Sequence, residues 1–126
     1  MTKGAKLFLA AGGVAALLSV ALGAFGAHAL RGRVAPEMLA VWHTGVEYHV
    51  LHALGLLAVG LVAQHLPHSR ALRWSGGLML AGIVLFSGSL YLIALSGRAW
   101  LGAVTPVGGL AFLAAWALFV AAALKA

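Results

Sequence analysis

The chain has 126 residues, 63% of them hydrophobic and only 8% charged, with a mean hydropathy of +1.06. A soluble domain carries about a quarter charged residues, so there is too little polar surface here to coat a globule in water, and the surrounding medium must be lipid. The net charge of +6 comes from basic residues placed singly or in pairs between apolar runs, a pattern of topogenic and headgroup contacts rather than nucleic-acid binding, and the absence of cysteine excludes disulfides, thiol nucleophiles and thiolate metal sites.

Taken in order, the chain starts with a short basic tail carrying Lys3 and Lys6. Residues 7–30 form the first apolar run. Its basic start and its Ala27-His28-Ala29 end resemble a secretory signal. Ala11, Ala15, Ser19, Gly23 and Ala27, however, fall four apart and make a stripe on which another helix can pack closely, which favours a retained helix. Arg31 to Pro36 is a loop. Pro36 followed by Glu37 suits a first helical turn, because proline needs no N–H partner there and an acid favours the positive helix end.

The second helix is expected over 37–64, the third over 72–95 and the fourth over 103–124, with Pro67 breaking the second loop and Ser96 to Gly102 forming the third. All four runs exceed the 18 residues or so that a crossing needs. The predicted fold class is therefore all-α: one polytopic domain, 1–126, of four transmembrane helices arranged as two antiparallel hairpins. Trp42, Trp74, Tyr91 and Trp100 read as interfacial aromatics. The tail, second loop and C-terminal end share one side and carry Lys3, Lys6, Arg70, Arg73 and Lys125; Arg31, Arg33 and Arg98 lie on the other. That bias places both termini in the cytoplasm.

The polar residues gather in one place. Trp42 to His52 holds three of the six histidines and Glu47, one of only two acids, inside a run that otherwise reads as a membrane span. An ionisable residue at such a depth is a functional candidate by default. At about 100° per residue, His43 and Glu47 share one face, one turn apart, while Tyr48, His52 and His49 occupy a second sector roughly 140° to 240° away. One neighbour cannot cover both sectors, so either the helix is enclosed on most sides or part of it meets water or a second copy. His28, Ser87, Ser89, Tyr91, Thr105 and Pro106 fall on the same side of the membrane. The expected cluster is thus His28, His43, Glu47, Tyr48, His49, His52, Ser87, Ser89 and Thr105, turned inward, with Glu47 as its charged member.

Several blocks resemble a known family: Gly23 to Leu30 (GAFGAHAL), Trp42 to His49 (WHTGVEYH), His52 to Leu57 (HALGLL), Leu85 to Tyr91 (LFSGSLY) and Thr105 to Gly109 (TPVGG). They are similar to the DUF423 family of small membrane proteins, the YgdD-like proteins. The resemblance implies a four-helix integral protein of the bacterial inner membrane and implies no particular activity.

Three readings of the cluster follow. The first is a structural hydrogen-bond network or binding site that holds helices together, with Ser87, Ser89 and Thr105 as partners. The second is a metal site among His28, His43, Glu47, His49 and His52, or a haem bracketed by His28 and one of the other three histidines. The third is a proton or small-solute pathway through Glu47, which would need a homo-oligomer because four helices are few for a transporter. Catalysis is not expected: no aspartate is present and no Ser-His-acid order is convincing. The expected partners are the lipid bilayer and either further copies or other membrane proteins. His65 and His68 read as solvated loop residues.

Overall fold

The polar ends of the helices are set by residues that hydropathy alone overlooks. In the computed structural model, which describes all 126 residues, the Thr2 side chain accepts a hydrogen bond from Ala5 N and starts the first helix at Lys3. Ser69 does the same for Leu72 N and starts the third at Arg70. Such caps satisfy N–H groups that have no partner within the helix. Pro36 opens the second helix with Glu37 in its first turn, and Gly97, with φ of 69°, closes the third by adopting the left-handed conformation that a side chain would strain.

Four helices result: α1 Lys3–Leu30, α2 Pro36–His65, α3 Arg70–Ser96 and α4 Ala99–Lys125, each long and apolar enough to cross a membrane. The last turn of α1, Gly26–Leu30, and a central turn of α3, Ile83–Ser87, are wound as wider π-turns, a feature frequent near functional sites. The first turn of α4, Ala99–Ala103, is a 3₁₀ turn.

Consecutive helices run antiparallel. Thr2 N donates to Gln64 Oε1 at 2.9 Å, tying the start of α1 to the end of α2. α1 packs chiefly on α2, and α4 on α3, while α2 and α3 form the inner pair. α2 is the hub: in its most apolar stretch 44% of residues are buried, against 17%, 28% and 22% in α1, α3 and α4. It also has the lowest hydropathy of the four, 1.6 against 2.2 to 2.3. The helix least suited to lipid is the one most covered by protein. Ala53, Leu56, Val59, Leu72, Met79 and Ala115 form the main core; Leu30, Trp42 and Ala94 form a second cluster toward the end of the bundle that holds the first and third loops.

The small-residue stripe of α1 follows a different line from the one expected. Ala5, Gly12, Ala15, Ser19 and Gly26 are buried, whereas Ala27 is exposed and Ala11 is half-buried. A strict four-residue step advances about 40° beyond a full turn each time, so it winds off the partner within two or three turns; mixed steps of three, four and seven stay on it. Backbones come nearest at Gly12, where a Cβ would lie 2.9 Å from Leu57 N, and at Gly108, where it would lie 2.3 Å from Phe86 N and 2.7 Å from its Cα. No rotamer change relieves a contact with backbone.

Gly108→Ala is therefore expected to force α3 and α4 apart and to destabilise the protein by about 1 to 3 kcal/mol, whereas Gly102→Ala, which meets nothing within 4 Å, leaves stability unchanged. Unfolding by SDS titration from mild detergent checks both.

Candidate functional site

Residues of α2 between Trp42 and His52 meet all three other helices. Trp42 is buried with 2% of its surface exposed, and its Nε1 donates to Leu22 O of α1 at 2.9 Å. Ser87 Oγ, at the end of the π-turn of α3, donates to Gly45 O at 2.7 Å. The Tyr91 hydroxyl lies 2.8 Å from His49 Nδ1, and the two share one proton in either sense. Ser89 Oγ and Thr105 Oγ1 bridge α3 to α4 at 2.6 Å, and Ser75 Oγ donates to Ala115 O at 2.7 Å nearer the other end.

His52 is held most completely. Trp116 Nε1 of α4 donates to its Nε2 at 3.0 Å, and its Nδ1 lies 2.7 Å from Tyr48 O. Indole N–H only donates and a carbonyl oxygen only accepts. The ring is therefore the neutral Nδ1–H tautomer, with both nitrogens used. Phe112 stacks on it with ring centroids 3.4 Å apart and planes 7° apart. His49, with 4% of its surface exposed, keeps one free position: its Nε2 is the single buried side-chain polar atom without a hydrogen-bond partner. Its ring also forms part of the wall of an apolar groove of about 490 Å³ between α1 and α3.

The expected cluster thus divides. His49, His52, Ser87 and Ser89 are buried, and Thr105 is half-buried, as polar residues turned inward. His28, His43 and Glu47 are exposed on the outside of the chain, a correction to the expectation of a buried glutamate. Tyr48 is 41% exposed, with its ring tilted against Phe86 at 4.7 Å. Rotation explains the split. α1 is met by the side of α2 that bears Trp42, Val46 and Leu57, and α3 and α4 by the side that bears Gly45, His49, His52 and Gly55. Glu47 points opposite to both.

Its depth makes the exposure consequential. At 1.5 Å per residue, Glu47 lies about 16 Å from Pro36 and about 5 Å from the midpoint of α2. The residues at its level agree: Ser87 and Gly23 lie about 6 and 10 Å from the midpoints of their own helices. The hydrocarbon half-thickness is about 15 Å. An ionised carboxylate facing lipid at such a level costs about 2.5 kcal/mol or more.

The metal reading is also corrected: no three histidine or acidic side chains converge closely enough to hold an ion. His52 has no lone pair left, and His28 and His43 face outward, away from His49. The same facts leave a bracketed haem without a second inward ligand beside His49. Sequence reading missed Trp116 and Ser75 as network members, and Trp42 and Tyr91, read by type as interfacial aromatics, are buried and half-buried among the helices and hydrogen-bonded there. Trp74 and Trp100 are 63% and 65% exposed, near the starts of α3 and α4.

Comparison with known proteins agrees with the fold. Residues 22–109 match the family model described as a protein of unknown function (DUF423). The chain is 51% identical over 120 residues to the UPF0382 membrane protein YwdK of Bacillus subtilis, covering 95% of this chain and 98% of that one. UPF0382 membrane proteins of Staphylococcus haemolyticus and Staphylococcus epidermidis are 41% and 42% identical, each with 95% of this chain and 97% of the relative covered. No solved structure matches.

Hydrogen bonds between membrane helices are worth about 0.6 kcal/mol on average and up to about 1.7. Trp116→Phe and Tyr91→Phe are each expected to destabilise by amounts in that range. In a double-mutant cycle, the Trp116→Phe penalty should vanish in a His52→Leu background, because the acceptor is gone; detergent unfolding measures the coupling.

Proposed function

The chain belongs to the DUF423 family of membrane proteins, and from that premise we propose that it is a non-enzymatic binding or assembly subunit of the bacterial inner membrane, with both termini in the cytoplasm and α2 as the helix that meets its partner. One observation carries the reading: the inward polar residues of α2 pair with other helices of the same chain, whereas Glu47 and His43 stand on its outer face. Polar groups within hydrocarbon act as interhelical glue. A helix that presents an acid and an imidazole one turn apart is suited to another helix, and lipid offers neither group a hydrogen bond.

The orientation rests on five basic residues at one end against three at the other. A scaffold is favoured over a solute pathway because, beyond His52, α2 reads Ala-Leu-Gly-Leu-Leu-Ala-Val-Gly-Leu-Val-Ala as far as Gln64. That stretch has no side chain to relay a proton. A catalytic reading would need a reacting group beside a base, and the buried histidines are engaged in holding helices.

Two measurements test this. A photo-reactive benzoylphenylalanine at Leu54, on the Glu47 face, is expected to yield protein adducts in native membranes, while the same probe at Leu113 on α4 yields lipid adducts; lipid adducts at both positions contradict the reading. For orientation, cysteines at His68 and Arg33 can be probed one at a time because the chain has none of its own. An impermeant maleimide should label Arg33→Cys in intact cells and His68→Cys only after permeabilisation. The reverse pattern inverts the topology.

A further inference from the structure

The outer face of α2 has a regular period. Ala40, His43, Glu47, Val50, Leu54, Leu57 and Leu61 follow one another at steps of three and four, the a and d positions of successive heptads. All are exposed except Leu57, which is half-buried where it meets Gly12 of α1. Apart from that contact no other helix of the chain covers this line, although α2 is the most enclosed of the four. The alternation is that of a left-handed two-helix seam, and it runs unbroken past the two titratable residues rather than ending at them.

We propose that this seam is filled by α2 of a second copy of the chain, parallel to the first about a two-fold axis along the membrane normal, and that Glu47 of each copy packs against the partner's His43. The proposal rests on the reading of α2 as the partner-facing helix and names the partner. Three features point to a second copy. In a parallel seam the residue at an a position enters a hole whose rim includes the d residue one turn before it, so Glu47 meets His43 of the other chain without any change of register. An isologous interface must be self-complementary, each residue finding on the partner what the partner finds on it; an acceptor and a donor one turn apart on one stripe meet that condition twice. Identical chains of one topology also bring their Glu47 residues to equal depth, where a chance partner would have to supply a matching donor. Ala40, Val50, Leu54 and Leu61 supply the apolar layers on either side. In this arrangement the polar layer sets register, as a single polar a residue does in other helix pairs, at some cost in stability.

Disulfide mapping in membranes tests it directly, since the chain contains no cysteine. Under mild oxidation, Leu54→Cys and Leu61→Cys are expected to form covalent dimers of twice the monomer mass as the main species. Leu51→Cys, exposed but off the seam, should yield several-fold less, and Leu113→Cys and Val120→Cys on α4 only background. Glu47→Leu should leave a dimer but blur its register, bringing the Leu51→Cys and Leu54→Cys yields together. Equal yields at Leu51, Leu54 and Leu113 in the parent chain would reveal random collision and overturn the proposal. No dimer at any seam position, with benzoylphenylalanine at Leu54 still captured by protein, would overturn self-pairing and leave the partner-facing reading standing. Capture of lipid alone would end both.

Discussion

Within a bilayer a polar side chain has no water to turn to, so each one that enters the bundle has to be met by another group of the protein. The Trp116–His52–Tyr48 relay is where this constraint is most visible. An indole that can only donate and a carbonyl that can only accept leave the imidazole between them one neutral form. That relay ties α4 to the middle of α2. The Tyr91–His49 contact ties α3 to it from an adjoining side, and the Trp42 indole ties it to α1. Remove α2 and none of the other three helices has a polar bond to the place where the histidines lie.

The same constraint gives meaning to the exception. Where His49 and His52 are enclosed, Glu47 faces away from every other helix of its own chain, about 5 Å from the midpoint of α2. Uncompensated exposure there is expensive, while the four buried serines, Ser19, Ser75, Ser87 and Ser89, all find partners. The contrast between an enclosed His52 and an acid left on the outer face is what supports the proposed contact of α2 with something beyond the chain. The heptad spacing on either side of Glu47 gives that contact a shape.

Much of this was legible in the residues. The four spans were readable from apolar run length, and the helices reach no more than four residues beyond the expected ends. The extra residues at the starts of α1 and α3 depend on Thr2 and Ser69, whose role is capping, and capping leaves no mark on hydropathy; α4 gains its 3₁₀ turn. The division of α2 into two polar sectors followed from the helical rotation alone. Which sector turned inward did not, because it depends on what α1 and α3 present: Gly12 and Gly26 let α1 settle over the Trp42 side, and Ser87 and Tyr91 reach the Gly45 and His49 side. The register between α2 and α3 is a tertiary fact, so Tyr91 could be assigned by type to the membrane surface while its actual partner stood 42 positions away. An amphipathic aromatic suits a headgroup layer and a buried hydrogen bond equally well.

The central claim, that inward His52 is structural and has both ring nitrogens already satisfied, is tested most directly by ¹⁵N solid-state NMR of histidine-labelled protein in bilayers, with His52→Leu to assign the signal. The account predicts a His52 pair with a protonated Nδ1 and an unprotonated, hydrogen-bonded Nε2, unchanged when Zn²⁺ is added. A doubly protonated ring, the opposite tautomer, or a shift on adding the metal would contradict it.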